Sequence, residues 1–299
     1  MPSVSKKEDG IMKKQYLYAG TSIVLWSTTA TVTKLLLGSL SSMQVLCISS
    51  FFSVLFLLII NAIKGNFKYF KEYSPKDFLK MALVGTLGTF LYNLFLIVGI
   101  SMMPASQAFI INYLWPMMAV VFGCVLLKEA FTARKFIAVI LSFVGVIVVT
   151  SNGNFLQLDA ANLKGALLCV CAAVFYGLFT VLNKKNDYDS YFSMLIFHVM
   201  SFGLPAICRA FTGESFLVTG LELPGLLWIG VVTNAIAFTT WALALKFGDT
   251  AKVSNLAYIT PFLSLIWTSV VLKEPFNLYS LLGLLLIVTG IVVQMGKKK

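Results

Sequence analysis

The sequence predicts an all-α integral membrane protein of ten transmembrane helices arranged as two inverted five-helix repeats. Three observations carry that reading. Of 299 residues, 59% are hydrophobic and only 12% are charged, against roughly 25% charge in an ordinary soluble domain. Ten apolar stretches are long enough to cross a hydrocarbon core of about 30 Å. Finally, an ungapped offset of 145 residues carries Tyr113 onto Tyr258, Pro116 onto Pro261, Lys128-Glu129 onto Lys273-Glu274 and Gly145 onto Gly290. Five spans per unit is an odd number, so the second copy enters the membrane from the opposite side, as in many secondary transporters.

The spans read as 16–37, 43–63, 78–100, 105–127 and 133–151 in the first unit, and 163–183, 191–212, 223–245, 251–272 and 278–295 in the second. The domain organisation follows: an N-terminal tail 1–15, a repeat 16–151, a repeat 152–296 and a tail 297–299. Residues 1–11 are expected to lack order, and the apolar run behind them is a full span, not the short core of a cleavable signal. Connections of a few residues leave no room for a soluble domain.

Charge distribution orients the chain. Of the 23 basic residues, all but Lys34, Lys164, Arg209 and Lys273 fall in tails, connections or span ends on one side, which by the positive-inside rule is the cytoplasmic side. Both termini are therefore expected in the cytoplasm of a multi-pass protein of the cell (inner or plasma) membrane. The net charge of +11 is an orientation signal and implies no nucleic-acid partner. The stretch 66–80, where Lys68, Lys71, Lys76 and Lys80 alternate with Phe67, Tyr69, Phe70 and Tyr73, reads as an anchor at headgroup level in the lipid bilayer.

Chemistry is sparse within the spans. An ionisable residue at mid-span costs about 2.5–3.5 kcal/mol even on the lenient insertion scale, and catalysis or ion coupling usually shows itself by accepting that cost. Here all twelve acids lie in loops, tails or span ends, and there is one histidine. No catalytic cluster, cofactor motif or metal-ligand spacing is present. The five cysteines form no CxxC pattern and read as free thiols. His198, seven residues into the seventh span, reads as a neutral packing histidine or as a switch that meets substrate or proton. Lys34 reads either as a snorkelling lysine or as a functional one, with Lys184 as its rough counterpart. Lys128, Glu129, Lys273 and Glu274 sit at span ends on opposite faces, either as gates that close the two ends of a pathway or as solvated boundary charges.

The strongest local signal is Asn112-Tyr113-Leu114-Trp115-Pro116 at mid-span, answered by Ala257-Tyr258-Ile259-Thr260-Pro261. Proline in a helix removes one hydrogen bond and crowds the carbonyl four residues earlier, so Pro116 and Pro261 are expected to free the oxygens of Asn112 and Ala257. Interrupted helices at matching places in two repeats point to a transport site. At similar depths lie Trp26 to Thr29, Tyr92, Asn93, Phe175, Tyr176, Asn234 and Trp241. Aromatic faces attract an ammonium, and amide or hydroxyl groups hold a carboxylate. The candidate substrate site is thus Trp26, Tyr92, Asn93, Asn112, Tyr113, Trp115, Phe175, Tyr176, Asn234, Tyr258 and Thr260, suited to a small neutral zwitterion. Ala138 and Gly145, seven apart in the fifth span, answer Gly283 and Gly290 in the tenth, and the spacing predicts a close-packed scaffold seam.

Val24-Leu25-Trp26-Ser27-Thr28, the Asn112–Pro116 pentapeptide, Asn183-Lys184, and proline followed by Leu-Lys-Glu and then glycine in both halves resemble the drug/metabolite transporter superfamily in its EamA-type branch, and within it the aromatic amino-acid exporter group. The resemblance covers nearly the whole chain from Tyr16. It implies a basket of ten helices around a central cavity lined by Tyr92, Tyr113 and Trp115, and export of amino acids or other small metabolites. Phe175 stands where the exporter group often has tryptophan, and Ser49 lies near the place of a second-span arginine. Two further readings remain open: a carrier of phosphorylated or nucleotide-linked sugars, and a membrane enzyme or receptor.

Overall fold

The computed structural model describes residues 3–128, 130–154, 159–186, 188–213, 215, 217–247, 256–275 and 277–294, and Glu129 lies outside them. Among the described residues every regular element is helical. Seven continuous segments are long and apolar enough to cross a membrane: Ser42–Ile63, Pro75–Met102, Ala105–Leu126, Ala133–Ser151, Ala160–Lys185, Ser190–Phe211 and Leu223–Phe247. Ile259–Val271 and Leu278–Gly290 are shorter apolar helices.

The first apolar stretch is two helices, α1 (Ser3–Ser27) and α2 (Thr29–Leu36). Helix from Ser3 corrects the expectation of a disordered tail, and the reason is local: Lys, Glu, Met and Gln are good helix formers, so the turn that leaves the apolar stretch propagates outward. The interruption at Thr28 follows from side-chain competition. Ser27 Oγ donates to the Val24 carbonyl at 2.7 Å and Thr28 Oγ1 to the Leu25 carbonyl at 2.7 Å, taking up backbone acceptors as hydroxyl residues do in helices. Helix α3 (Ser42–Ile63) starts on a capping box made by Ser41 and Gln44, which satisfies two of the amide groups a helix start leaves unpaired. A short helix α4 (Tyr69–Glu72) carries the basic aromatic stretch.

Next comes α5 (Pro75–Gly85), then a π-helical segment Thr86–Leu91, then α6 (Tyr92–Met102). A corner at Met103 and Pro104 leads into α7 (Ala105–Asn112), and Tyr113 and Leu114 form a turn before α8 (Trp115–Leu126). After α9 (Ala133–Ser151) follow α10 (Ala160–Lys185), α11 (Ser190–Thr212), α12 (Leu223–Leu227), a second π-helical segment Trp228–Ile236, α13 (Ala237–Phe247), α14 (Ile259–Val271) and α15 (Leu278–Gln294). Single π-helical turns widen a helix and occur often at functional sites. The first ends immediately before Tyr92 and Asn93, and the second contains Asn234.

The prolines do not kink continuous helices. Pro116 lies in the first turn of α8 and Pro261 in that of α14, where a missing N–H costs nothing because that donor has no intrahelical partner. The freed carbonyl expected at Ala257 is corrected too: it accepts the Thr260 N–H at 3.0 Å. The chain breaks fully one turn earlier than a kink would place it, and the tighter turn takes up the oxygen.

Helices α9 and α15 pack along the small-residue seam. A Cβ added at Gly145 would lie 2.7 Å from the Gly283 carbonyl oxygen, and one at Gly283 would lie 2.6 Å from that of Gly145. Gly290 meets the Ala138 carbonyl in the same way, at 2.7 Å. The outer face of α9 exposes Phe136, Ile140 and Ile147, an apolar surface that belongs against lipid chains. The buried core lies between α1, α6, α7, α8, α10, α11 and α13, and it is the wall of the candidate site.

Candidate functional site

Polar anchors set where the broken helices meet. Trp26 Nε1 donates to the Thr233 carbonyl at 3.1 Å, Trp228 Nε1 to Thr28 Oγ1 at 2.8 Å and Trp267 Nε1 to Ser27 Oγ at 3.1 Å. Three indoles therefore fasten the Trp-Ser-Thr break between α1 and α2: Trp228 from the second π-helical segment, Trp267 from α14, and Trp26 itself reaching back to Thr233. Ser22 Oγ, which donates to the Ala237 carbonyl at 2.9 Å, holds α1 against α13 in addition.

Two cavities share a wall of rings. The wider, about 230 Å³, is lined at its depth by Trp115, Tyr176, Phe179, Phe238 and Trp241 and at its mouth by Asn183, Lys184, Tyr188 and Lys246. No carboxylate is among its described lining residues. The smaller, about 20 Å³, is lined by Trp26, Thr29, Tyr92, Asn93, Phe109, Asn112, Tyr113 and Asn234, and it shares Trp115, Tyr176 and Phe238 with the first. The shared rings are mutually packed: Trp115 stands edge-on to Tyr176 at 5.0 Å, and Tyr176 to Phe238 at 5.7 Å. Tyr92 lies 4.6 Å from Tyr176, and Trp26 is 5.4 Å from Phe238 and 5.3 Å from Trp241. Such pairs contribute about 0.5–1.5 kcal/mol each beyond burial, so the layer is a cohesive wall that both cavities share.

Eight of the sequence-predicted site residues line the smaller cavity: Trp26, Tyr92, Asn93, Asn112, Tyr113, Trp115, Tyr176 and Asn234. Three do not line either cavity. Phe175 turns away on α10 to pack against Phe95 at 5.3 Å, because consecutive residues on a helix face directions about 100° apart and Tyr176 takes the inward one. Tyr258 and Thr260 are buried beside the α14 break instead. His198 is fully buried, its Nδ1 2.9 Å from the Met194 carbonyl and its ring 6.0 Å from Phe238; it packs behind the wall. The sequence reading passed over Phe109, Phe179 and Phe238. A signal was available, since Phe238 follows Asn234 by four residues and Phe179 follows Tyr176 by three, the spacings that share a helix face.

The end of the bundle opposite the mouth of the wider cavity is clamped. Glu274 accepts from Ala105 N at 2.7 Å and from Ser106 N at 3.0 Å, capping the N-terminus of α7. Lys34 Nζ donates to the carbonyls of Ile100 at 2.7 Å and Met103 at 2.9 Å at the end of α6. A carboxylate at a helix start and an ammonium at a helix end each complement the local dipole. Lys34 therefore docks on the carbonyls at the end of α6. Glu274 is aimed by its neighbour. Lys273 adopts left-handed backbone, φ 54°, and the Glu274 N–H reaches back to the Thr268 carbonyl at 3.3 Å, so lysine stands past the helix end in the left-handed place glycine usually takes. Lys128 repeats that backbone, φ 56°.

At the mouth, Tyr188 donates to Asp77 Oδ1 at 3.0 Å. Burial pushes its phenol up to about 12, and the carboxylate bond adds to the shift, so the group stays a neutral donor that ties the α10–α11 connection to α5.

A family model described as the EamA-like transporter family matches residues 13–151 and 163–295. An uncharacterized transporter of Bacillus subtilis, YvbV, is 30% identical over 207 residues, 68% of this chain and 67% of that protein. A second from the same organism, YetK, is 24% identical over 318 residues, covering 100% of this chain and 93% of its own. A protein of Ancylobacter novellus named as the aromatic amino acid exporter YddG is 25% identical over 182 residues, 60% of this chain and 63% of its own. One crystal structure shares the fold with a TM-score of 0.70 at 21% identity, over 95% of this chain and 96% of that one.

Proposed function

From the premise that the chain belongs to the EamA-like transporter family, we propose that it is a ten-span secondary transporter of two inverted repeats, with both termini cytoplasmic, in the cell membrane. It exports amino acids, aromatic or otherwise neutral, or similar small metabolites by alternating access. The observation that carries this reading is the pairing of one aromatic-walled cavity, open at the end bearing Lys184 and Lys246, with a clamp at the other end made by Glu274 and Lys34. On the topology expected from basic residues, the open end faces the cytoplasm and the clamped end faces out, so the arrangement is an inward-open one ready to load. The volume of about 230 Å³ is below the roughly 300–1,000 Å³ of drug-sized ligand sites, which favours a small metabolite. A relative named as an aromatic amino acid exporter supports the substrate class.

Counterflow of a labelled amino-acid panel in proteoliposomes, with and without an imposed pH gradient, tests the proposal. Saturable exchange of large neutral amino acids is the expected result, and absence of exchange for every amino acid in the panel would overturn it. One observation favours a second reading: Lys184 and Lys246 line the cavity mouth and no carboxylate is among the described lining residues, which would draw an anionic solute such as a sugar phosphate. Stronger inhibition of counterflow by a sugar phosphate than by phenylalanine would select that reading.

A further inference from the structure

We propose that the smaller cavity is an ammonium subsite, so that substrate enters amine first and leaves its carboxylate and side chain in the wider cavity. The inference rests on the amino-acid reading above and goes further by assigning which end of the substrate lies deepest. Size limits the occupant. At about 20 Å³ the space takes one water-sized group; a terminal –NH₃⁺ fits, whereas a two-oxygen carboxylate or a ring does not.

Hydrogen-bonding capacity decides its sign. Asn112 Nδ2 gives one N–H to Tyr92 Oη at 3.2 Å, Asn93 Nδ2 gives one to the Thr89 carbonyl at 2.7 Å, and Trp26 Nε1 gives its single N–H to the Thr233 carbonyl at 3.1 Å. Asn112 is 1% exposed, and its Oδ1, like Thr29 Oγ1, has no partner among the described residues. Leaving a buried acceptor unpaired costs about 1–3 kcal/mol, a cost that a bound donor removes. No lysine or arginine is among the described lining residues, and the rings of Trp26, Tyr92 and Phe238 add the negative faces that attract a desolvated cation. An anion would meet π faces with no cationic side chain among the described lining residues to offset its charge; a primary ammonium meets the unpartnered Asn112 and Thr29 oxygens and the same faces.

Three ligands that share a phenyl ring separate the possibilities without any substitution: phenethylammonium, phenylalanine and 3-phenylpropionate, titrated into the purified wild-type protein by quenching of its tryptophan fluorescence, since Trp26, Trp115 and Trp241 all border the cavities. The expected result is saturable quenching by the two amines, with 3-phenylpropionate at least tenfold weaker. Asn112→Leu should weaken phenethylammonium by about tenfold, the loss of one hydrogen bond to a charged group, and leave 3-phenylpropionate unchanged; Thr29→Val, which removes the other unpartnered oxygen, provides the same test should the first variant fold poorly. Equal or tighter binding of 3-phenylpropionate by the wild type would overturn the subsite, even if phenylalanine counterflow stands. Conversely, amine preference in the titration with no amino-acid counterflow would sustain the subsite and overturn the exporter reading.

Discussion

Replacing Glu274 by glutamine should unlatch the outer end of the pathway. In the structure one carboxylate oxygen accepts the Ala105 N–H at 2.7 Å and the other the Ser106 N–H at 3.0 Å. Glutamine retains one acceptor, turns an amide donor toward the second N–H and withdraws the negative charge from the start of α7. A charge-assisted hydrogen bond contributes about 1.5–3 kcal/mol, and the charge at the helix start about 0.3–1 kcal/mol. Glu274 is half-buried, so water replaces part of what is lost and a net figure of about 1.5 kcal/mol is the working value, roughly tenfold in the closed-to-open ratio. The assay is a cysteine at Thr29, which lines the smaller cavity, in a background with Cys47, Cys124, Cys169, Cys171 and Cys208 replaced. A membrane-impermeant maleimide applied from outside should react about ten times faster in the Glu274→Gln protein. An outside rate that stays within twofold of the parent, at equal expression, would refute the latch.

Trp115→Ala should weaken transport of phenylalanine more than of alanine, by up to about tenfold if one ring pair of about 1.5 kcal/mol is lost; counterflow with equal losses for both substrates would make Trp115 a packing residue. For topology, single cysteines at Asn154 and Lys246 should label from outside and inside respectively, and labelling of both from one side would sink the inverted arrangement. Gly145→Val should destabilise the α9–α15 seam by about 1–3 kcal/mol, the usual cost of overpacking, because its Cβ would sit 2.7 Å from the Gly283 oxygen; an unchanged melting midpoint would show that the seam yields. Lys273→Gly should be tolerated or stabilising by about 1 kcal/mol, since glycine removes the left-handed strain that lysine bears, and a lowered midpoint would contradict that account.

Much was legible in the chain itself, for reasons that are local. Apolar length and charge placement report the bilayer, because every residue in a span faces the same solvent constraint. Proline pairs at a fixed offset marked the breaks at Tyr113 and Tyr258, and glycines spaced by seven marked the α9–α15 seam, since both act through the backbone of their own helix. The site was half visible: polar and aromatic types at mid-span identified eight wall residues. Phe175 was misjudged because its neighbour Tyr176 owns the inward direction, and Phe238 was passed over although Asn234, one turn before it, pointed to the face. Only tertiary structure decided that Lys34 would end on Ile100 and Met103 and that Glu274 would cap a helix 169 residues before it in the chain. Those pairings depend on which helix ends the packing brings together, and a charge at a span end carries no record of its partner. The same holds for Asn112: its amide could have turned either way, and Tyr92 from another helix, by accepting one of its N–H groups, leaves its oxygen unpartnered beside one small space.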